Sequence, residues 1–128
     1  MSKHKIFVAV VDDDASFARA LGRLLRAAEF EVRTFLSAED FLASTTLPHP
    51  DCLVLDMQLG GMDGVELQQR LRELGDQTPI IFVTAHDAEN IRAEAVQAGC
   101  VAYLRKPVAS GALLEALAKA MTAVHSRQ

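Results

Sequence analysis

The chain has 128 residues, enough for one domain with a proper core, and half of its residues are hydrophobic. Its apolar runs are much shorter than the roughly 18 residues of a membrane-spanning helix, and no secretion signal is recognisable, so we expect a cytoplasmic protein with no membrane partner. The net charge of −4 and the scattered Lys and Arg residues argue against direct binding to nucleic acid.

The first part of the chain alternates apolar runs with helical patterns. It opens with a continuous, β-branched run at Ile6–Val11, which is typical of a strand buried on both faces. Apolar residues at three- and four-residue spacing then predict a helix, and they are Phe17, Leu21, Leu24, Leu25 and Ala28. A second strand at Glu31–Phe35 and a short helix capped by Ser37 follow, with Phe41 and Leu42 facing the core.

The middle of the chain repeats this alternation. A loop is predicted at Leu47–Pro50, because its prolines cannot continue a helix, and a third strand covers Cys52–Leu55 and ends at Asp56. Glycines crowd the next stretch before a helix begins, whose apolar positions are Val65, Leu67, Leu71 and Leu74. The fourth strand, Ile80–Val83, ends at Thr84.

The last part of the chain supplies two helices and one strand. A helix over about 88–98 is closed by Gly99, and a fifth strand covers Val101–Leu104. The last helix spans about 109–124, and its residues expected to face the core are Leu113, Leu114, Leu117 and Met121. Strand–helix units with short connections predict a doubly wound α/β domain, with helices on both faces of a parallel sheet.

Polar residues follow four of the predicted strands. Asp12–Asp14 follow the first, Asp56 the third, Thr84 the fourth and Lys106 the fifth. Ligands of open parallel sheets bind at this carboxyl edge. Each residue alone has an ordinary structural explanation, such as a helix start, a turn cap or a surface lysine. Their joint occurrence at one edge favours a functional pocket.

The predicted pocket contains several carboxylates, which repel one another unless a cation lies between them. Mg²⁺ is a hard ion that prefers oxygen ligands and keeps several waters. We therefore predict Mg²⁺ bound by Asp13, Asp56 and the backbone carbonyl of Gln58, with Asp12 helping through water.

The same pocket suits phosphoryl transfer. Asp56 is the predicted nucleophile and the site of modification, as carboxylates are in aspartyl-phosphate chemistry. Lys106 would add a second positive charge, and the Thr84 hydroxyl would donate a hydrogen bond to the attached phosphoryl group. Asp56, Thr84 and Lys106 are therefore the predicted catalytic residues.

Four segments, in their order, spacing and strand context, resemble the receiver domains of bacterial two-component response regulators over nearly the whole chain. They are VVDDDAS, LVLDMQLGGMDG, IIFVTAHD and YLRKPV. The segments LDMQLGGMDGVEL and VTAHD are most similar to the corresponding sequences of FixJ-like receivers that precede a LuxR-type helix-turn-helix domain. The resemblance implies a flavodoxin-like (βα)5 fold with strand order 2-1-3-4-5. It also implies a single receiver domain over 1–128, with its core at about 5–124 and no output domain.

The resemblance also assigns partners and roles. In such domains a histidine kinase or a phosphotransfer protein donates the phosphoryl group with Mg²⁺ as cofactor, and the domain signals rather than turns over a substrate. The Lys106–Pro107 bond is implied to be cis. Tyr103 becomes the aromatic switch residue, whose ring turns inward when Thr84 moves toward the phosphoryl group, and Ala85 and His86 lie at the pocket rim.

The surface of the last two helices and the fifth strand would transmit the phosphorylated state to a partner or to a second copy of the chain. A homodimer through this surface is one expectation, because alanines leave a flat second face on the last helix. The same alanines could equally be plain helix formers, and they are Ala112, Ala116 and Ala120.

The chain departs from the family pattern in the loop after the predicted nucleophile. Receivers usually have proline at the position of Gly60, so we expect this loop to be more mobile than usual. Asp14 is a third acidic residue to which we assign no metal role. Gln58 and His86 occupy positions that, in similar domains, tune the lifetime of the aspartyl phosphate.

Two other functions share parts of this residue pattern. A haloacid-dehalogenase-type phosphotransferase also uses an aspartate nucleophile and Mg²⁺, but it needs a second aspartate where this chain has Gln58. The other alternative is a receiver-like interaction module that works without phosphorylation. Such modules generally lack one or more pocket residues, and this chain keeps them all.

Overall fold

The computed structural model describes residues 5–44, 49–86 and 88–126, so positions 47 and 48 of the predicted loop lie outside the described residues. The strands are β1 Phe7–Val11, β2 Glu31–Phe35, β3 Cys52–Asp56, β4 Ile80–Thr84 and β5 Ala102–Arg105. The helices are α1 Ala15–Ala27, α2 Ala38–Ala43, α3 Gly64–Glu73, α4 Glu89–Gln97 and α5 Ser110–Ser126. Every strand pair is parallel and the order is β2-β1-β3-β4-β5, which confirms the predicted doubly wound fold.

The sheet is buried because helices cover both of its faces. Side chains alternate along β1, so that Val8 and Val10 join the core beneath α1 and α5, whereas Ala9 and Val11 join the core beneath α2, α3 and α4. A strand buried on both faces needs no polar alternation, which explains why β1, β3 and β4 are continuous apolar runs. Within the described ranges, no helix combines the length and the apolar character needed to cross a membrane.

Three apolar residues expected to face the core are exposed. Ala28 and Leu74 are the C-cap residues of α1 and α3, where the chain leaves the helix, and Leu74 is 69% exposed. Leu114 is 36% exposed because it lies about 100° around α5 from its buried neighbour Leu113. Helical periodicity therefore identified the apolar faces but overestimated their width and length.

The alanine stripe of α5 does not form a free second face. Ala116 and Ala120 are buried in the core, beside Leu113 and Leu117, and Ala112 alone of the three is exposed. Residues three or four apart lie on the same side of a helix, so Ala116 and Ala120 extend the inner face that Leu113 and Leu117 form. The expectation that they provide a flat dimer surface was wrong.

Candidate functional site

The predicted pocket residues meet at the carboxyl edge of the sheet. Asp12 directly follows β1, Asp56 and Thr84 end β3 and β4, and Lys106 directly follows β5. Because these four strands are neighbours, their ends bring the four side chains to one place. Asp12 and Thr84 are fully buried, and Asp56 is 4% exposed.

Three carboxylates form the acidic part of the site. Asp12, Asp13 and Asp56 each offer one oxygen, and these oxygens all lie within 4.8 Å of one another. Asp12 and Asp56 are buried and Asp13 is exposed, so the cluster opens to solvent on the Asp13 side. Asp12 Oδ1 accepts a hydrogen bond from the backbone N–H of Asp14 at 2.9 Å.

Lys106 provides the positive charge of the site. Its Nζ lies 2.8 Å from Asp12 Oδ2 and 3.4 Å from Asp56 Oδ2, with the side chain 15% exposed. Burial alone would lower the pKa of Lys106, but the two carboxylates outweigh it and raise the pKa, so the side chain stays charged. Its backbone N–H donates to the Thr84 carbonyl at 2.8 Å, and the following peptide bond to Pro107 is cis, as the resemblance implied.

The environment of Asp56 makes its carboxylate unusually basic. Burial, reinforced by the negative charge of Asp12, raises the pKa of Asp56 to about 6. A 2.9 Å hydrogen bond from the Gln58 backbone N–H to Oδ1 and the nearby Lys106 ammonium offset only part of this effect. The pocket thus holds more negative charge than its one lysine neutralises.

Thr84 and the rim residues form a short turn above β4. The Thr84 hydroxyl donates to the His86 carbonyl at 3.2 Å and accepts from the His86 backbone N–H at 3.1 Å. In this structure the hydroxyl is therefore engaged within its own turn. Ala85 and His86, to which the resemblance assigns the pocket rim, are exposed beside it.

Tyr103, the predicted switch residue, lies on β5 opposite Phe82 of β4. Its ring is half-buried against the core on the α4 side of the sheet. The guanidinium carbon of Arg92, in α4, lies 5.3 Å from the ring centroid, a cation–π contact that ties α4 to β5. The side chain thus lies between β5 and α4.

The loop between β3 and α3 is held at several points despite Gly60. At its start the Met57 N–H donates to the Val83 carbonyl at 2.9 Å, and at its end the Met62 N–H donates to Glu39 Oε2 at 3.0 Å. The second hydrogen bond lowers the pKa of Glu39. The greater mobility expected from Gly60 stays a prediction.

Gly64, the first residue of α3, approaches the backbone of the site closely. A Cβ atom there would overlap the Asp56 carbonyl oxygen and would lie 2.9 Å from Met57 Cα. Only glycine fits this position, which fixes the start of α3 against the end of β3.

Sequence reasoning missed two residues that contact this region. Glu39 lies in the short helix predicted after Ser37 and was given no role, because its bond to Met62 depends on how α2 lies beside a distant loop. Phe17 was assigned to the core face of α1, but its ring centroid lies 4.3 Å from Lys106 Nζ. An aromatic residue in the first turn of the helix that follows the acidic run was the available signal.

The acidic cluster has the chemistry of a divalent-cation site. All of its side-chain donors are oxygens. The buried Asp12 Oδ2 is paired in charge with Lys106, yet no donor among the residues the structure describes meets it in hydrogen-bond geometry. Excess negative charge and a buried oxygen without a hydrogen bond are the features that a hard cation satisfies.

Buried carboxylates, a lysine and a threonine at the end of a five-stranded parallel sheet are the arrangement of a signalling domain rather than of a classical enzyme. The family model of the response regulator receiver domain matches residues 8–118, and the chain belongs to that family. It is a receiver domain of a two-component system.

Individual relatives agree with this assignment. The transcriptional regulatory protein TdiR of Thauera aromatica is 40% identical over 114 residues, which are 89% of this chain and 50% of TdiR. The structure of the response regulator StyR matches with a TM-score of 0.86 and 42% identity, over 97% of this chain and 63% of StyR. That of FixJ-N matches with a TM-score of 0.83 and 32% identity, over 92% of this chain and 94% of FixJ-N, in line with the expected FixJ-like character. The chain spans about half the length of the curated relatives it matches.

Proposed function

We propose that this receiver takes a phosphoryl group onto Asp56 from a partner histidine kinase or phosphotransfer protein. The observation that carries the proposal is the position of Asp56 within the acidic cluster. Asp12 is fully buried and Asp13 is exposed, whereas Asp56 is slightly exposed and lies 3.4 Å from the Lys106 ammonium. Asp56 therefore combines access from solvent with a neighbouring cation.

The proposed step is an in-line displacement at phosphorus. A carboxylate oxygen of Asp56 forms a bond to phosphorus while the bond from phosphorus to the kinase imidazole nitrogen breaks. The imidazole leaves with the bonding electron pair and later takes up a proton. With a small donor such as acetyl phosphate, the bond to the acetate oxygen breaks instead and acetate leaves.

The other pocket residues stabilise the product. The Lys106 ammonium faces the added negative charge, and the Thr84 hydroxyl leaves His86 to donate to a phosphoryl oxygen. Since the raised pKa of Asp56, about 6, still lies below 7, the carboxylate is mostly ionised at neutral pH and more basic than an exposed aspartate.

Asp13, Asp56 and the Gln58 backbone carbonyl would hold Mg²⁺, with Asp12 helping through water, because the oxygen-only cluster fits such an ion. When bound, Mg²⁺ supplies positive charge to the crowded carboxylates and to the phosphoryl oxygens. This chain's own contribution is to keep the carboxylate oxygens within 4.8 Å of one another.

The output of the switch is proposed to be the surface of α4, β5 and α5. Movement of Thr84 toward the phosphoryl group would change the space beside Tyr103, whose ring contacts Arg92 of α4. Val96 in α4, 66% exposed, and Leu114 in α5 give this surface apolar residues that a partner or a second copy could cover. The chain spans about half the length of its transcriptional relatives, so we also propose that it controls a LuxR-type output domain. We further propose that it acts in the cytoplasm, where a kinase would supply the phosphoryl group.

The proposal is tested by intact mass after incubation with acetyl phosphate, with and without Mg²⁺. We expect a Mg²⁺-dependent gain of about 80 Da, one phosphoryl unit, that is lost in Asp56→Asn. Asp14→Asn is the matched control, because asparagine can also cap α1 and Asp14 is outside the proposed metal set. Undiminished labelling of Asp56→Asn would exclude Asp56 as the acceptor. Equal partner binding before and after treatment, without labelling, would favour the phosphorylation-independent module.

A further inference from the structure

We propose that Phe17 is a positioning residue for phosphoryl transfer, acting through Lys106. The ring of Phe17 holds the lysine ammonium against Asp12 and Asp56. This inference rests on the proposed function, because it concerns how Lys106 serves the Asp56 phosphoacceptor.

The Lys106 ammonium is located by contacts on two sides. On one side Nζ lies 2.8 Å from Asp12 Oδ2 and 3.4 Å from Asp56 Oδ2. On the other side the Phe17 ring centroid lies 4.3 Å from Nζ, well within the range of a cation–π contact. With the lysine side chain only 15% exposed, the ring replaces part of the water that would otherwise surround the charge.

An aromatic ring suits this role better than a polar group. Its face attracts the ammonium through the ring quadrupole, and it offers no conventional oxygen or nitrogen acceptor that would compete for the N–H groups. The N–H groups thus remain available to Asp56 Oδ2 and, after transfer, to the phosphoryl oxygens, while the ammonium charge stays paired with Asp12. A lysine has four rotatable side-chain bonds, so a wall behind its head group reduces the positions it samples.

The acidic run itself places the ring. The Asp14 backbone N–H donates to Asp12 Oδ1 at 2.9 Å, and Asp14 Oδ1 accepts from the Phe17 backbone N–H at 3.1 Å. Asp14 is thus the N-cap of α1, and it links a pocket carboxylate to the residue that carries the ring. Phe17 also lines a shallow cavity with Pro107, so its ring lies between α1 and the segment that follows β5.

The test compares Phe17→Leu, which keeps apolar volume without a ring, with Phe17→Tyr, which keeps the ring. At saturating Mg²⁺ and acetyl phosphate, we expect the labelling rate of Phe17→Leu to fall about threefold to tenfold and that of Phe17→Tyr to stay within about twofold of wild type. In a Lys106→Met background, Phe17→Leu should change the rate by less than about twofold, since the ring acts through the ammonium.

Three outcomes would overturn the proposal: an unchanged rate for Phe17→Leu, an equal loss for Phe17→Tyr, or the same loss in both backgrounds. A second double-mutant cycle uses the unfolding equilibrium constant of the unlabelled proteins, in which Phe17 and Lys106 should couple by about threefold. If the unfolding equilibrium constants show no coupling between Phe17 and Lys106, the ring contact is contradicted even when labelling is too slow to follow. If wild type takes no label while coupling is present, the proposed function fails and the contact stands.

Discussion

The side-chain amide of Gln68, in α3, donates a 2.7 Å hydrogen bond to the backbone carbonyl of Ala98, the C-cap residue of α4. The last carbonyls of a helix lack partners within the helix, so a donor from a neighbouring helix stabilises the end. Gln68 is 6% exposed, and this contact joins α3, the helix that follows β3 and Asp56, to α4, the helix that contacts Tyr103.

Gln68→Leu should lower the free energy of unfolding by about 1–2 kcal/mol, because it removes the side-chain donor to the Ala98 backbone carbonyl. Amide hydrogen exchange near the end of α4 should also become faster than in wild type. Gln69→Leu, at the exposed neighbouring position, is the control for a changed side chain on α3. Equal stability of the two variants in urea denaturation would show that the hydrogen bond contributes little.

Two glycine-to-alanine substitutions should have opposite effects on stability. Gly64→Ala places a Cβ atom against the Asp56 carbonyl oxygen, so the backbone must shift, and we expect a loss of about 2 kcal/mol together with slower labelling. Gly111, in the first turn of α5, has nothing within 4 Å of such an atom, and Gly111→Ala should gain about 0.5–1 kcal/mol. Thermal unfolding of both variants gives the signs, and a neutral Gly64→Ala would contradict the close approach.

Asp76 should contribute stability at neutral pH that is lost in acid. Burial raises the pKa of Asp76, but the hydrogen bonds from Thr78 and the nearness of His49, whose Nε2 lies 2.9 Å from Oδ2, outweigh it and lower the pKa below its ordinary value of 3.8. Since the folded pKa is below the unfolded one, the contribution is present above pH 3.8 and disappears as pH falls through the folded value.

Asp76→Asn should therefore be less stable than wild type at pH 7, and the difference should be smaller at an acid pH below 3.8. Denaturation series at both pH values measure the two differences, and Glu73→Gln, an exposed carboxylate nearby in the chain, is the control. A difference that is independent of pH would assign the effect to packing instead of charge.

Mg²⁺ should stabilise the folded domain through the acidic cluster. Without the ion, Asp56→Asn should be more stable than wild type by about 1 kcal/mol, because it removes a buried charge next to Asp12. Added Mg²⁺ should raise the melting temperature of wild type and of Asp14→Asn much more than that of Asp56→Asn. An equal rise in all three proteins would place the ion elsewhere.

The elements and the site edge were predictable from the sequence because they depend on local patterns. Buried strands such as β1 and β3 are continuous apolar runs, and the residues that end them are polar, so parallel topology alone brings Asp12 and Asp56 to one edge. The strand order was confirmed, whereas the roles of the site residues stay predictions.

What the sequence did not predict depends on how helices lie against one another and on where they end. The bond from Gln68 to Ala98 joins residues 30 positions apart, and no local pattern marks either of them. Ala120 could not be assigned to the inner face by spacing alone, because small residues suit either face. Leu74 continues the apolar spacing of α3 after the helix has stopped.

Lys106 follows β5, one of the two edge strands of the sheet. β5 is hydrogen-bonded to one neighbour, β4, whereas β1 and β3, which deliver Asp12 and Asp56, each have a strand on both sides. An edge strand detaches at lower free energy than the interior of a sheet. If β5 separates from β4, the Lys106 ammonium moves away from the buried carboxylates of Asp12 and Asp56. The negative charges of these two carboxylates would then repel an incoming phosphate. The proposed transfer to Asp56 should therefore require that β5 stays paired with β4, which would link the charge balance of the pocket to the integrity of this sheet edge.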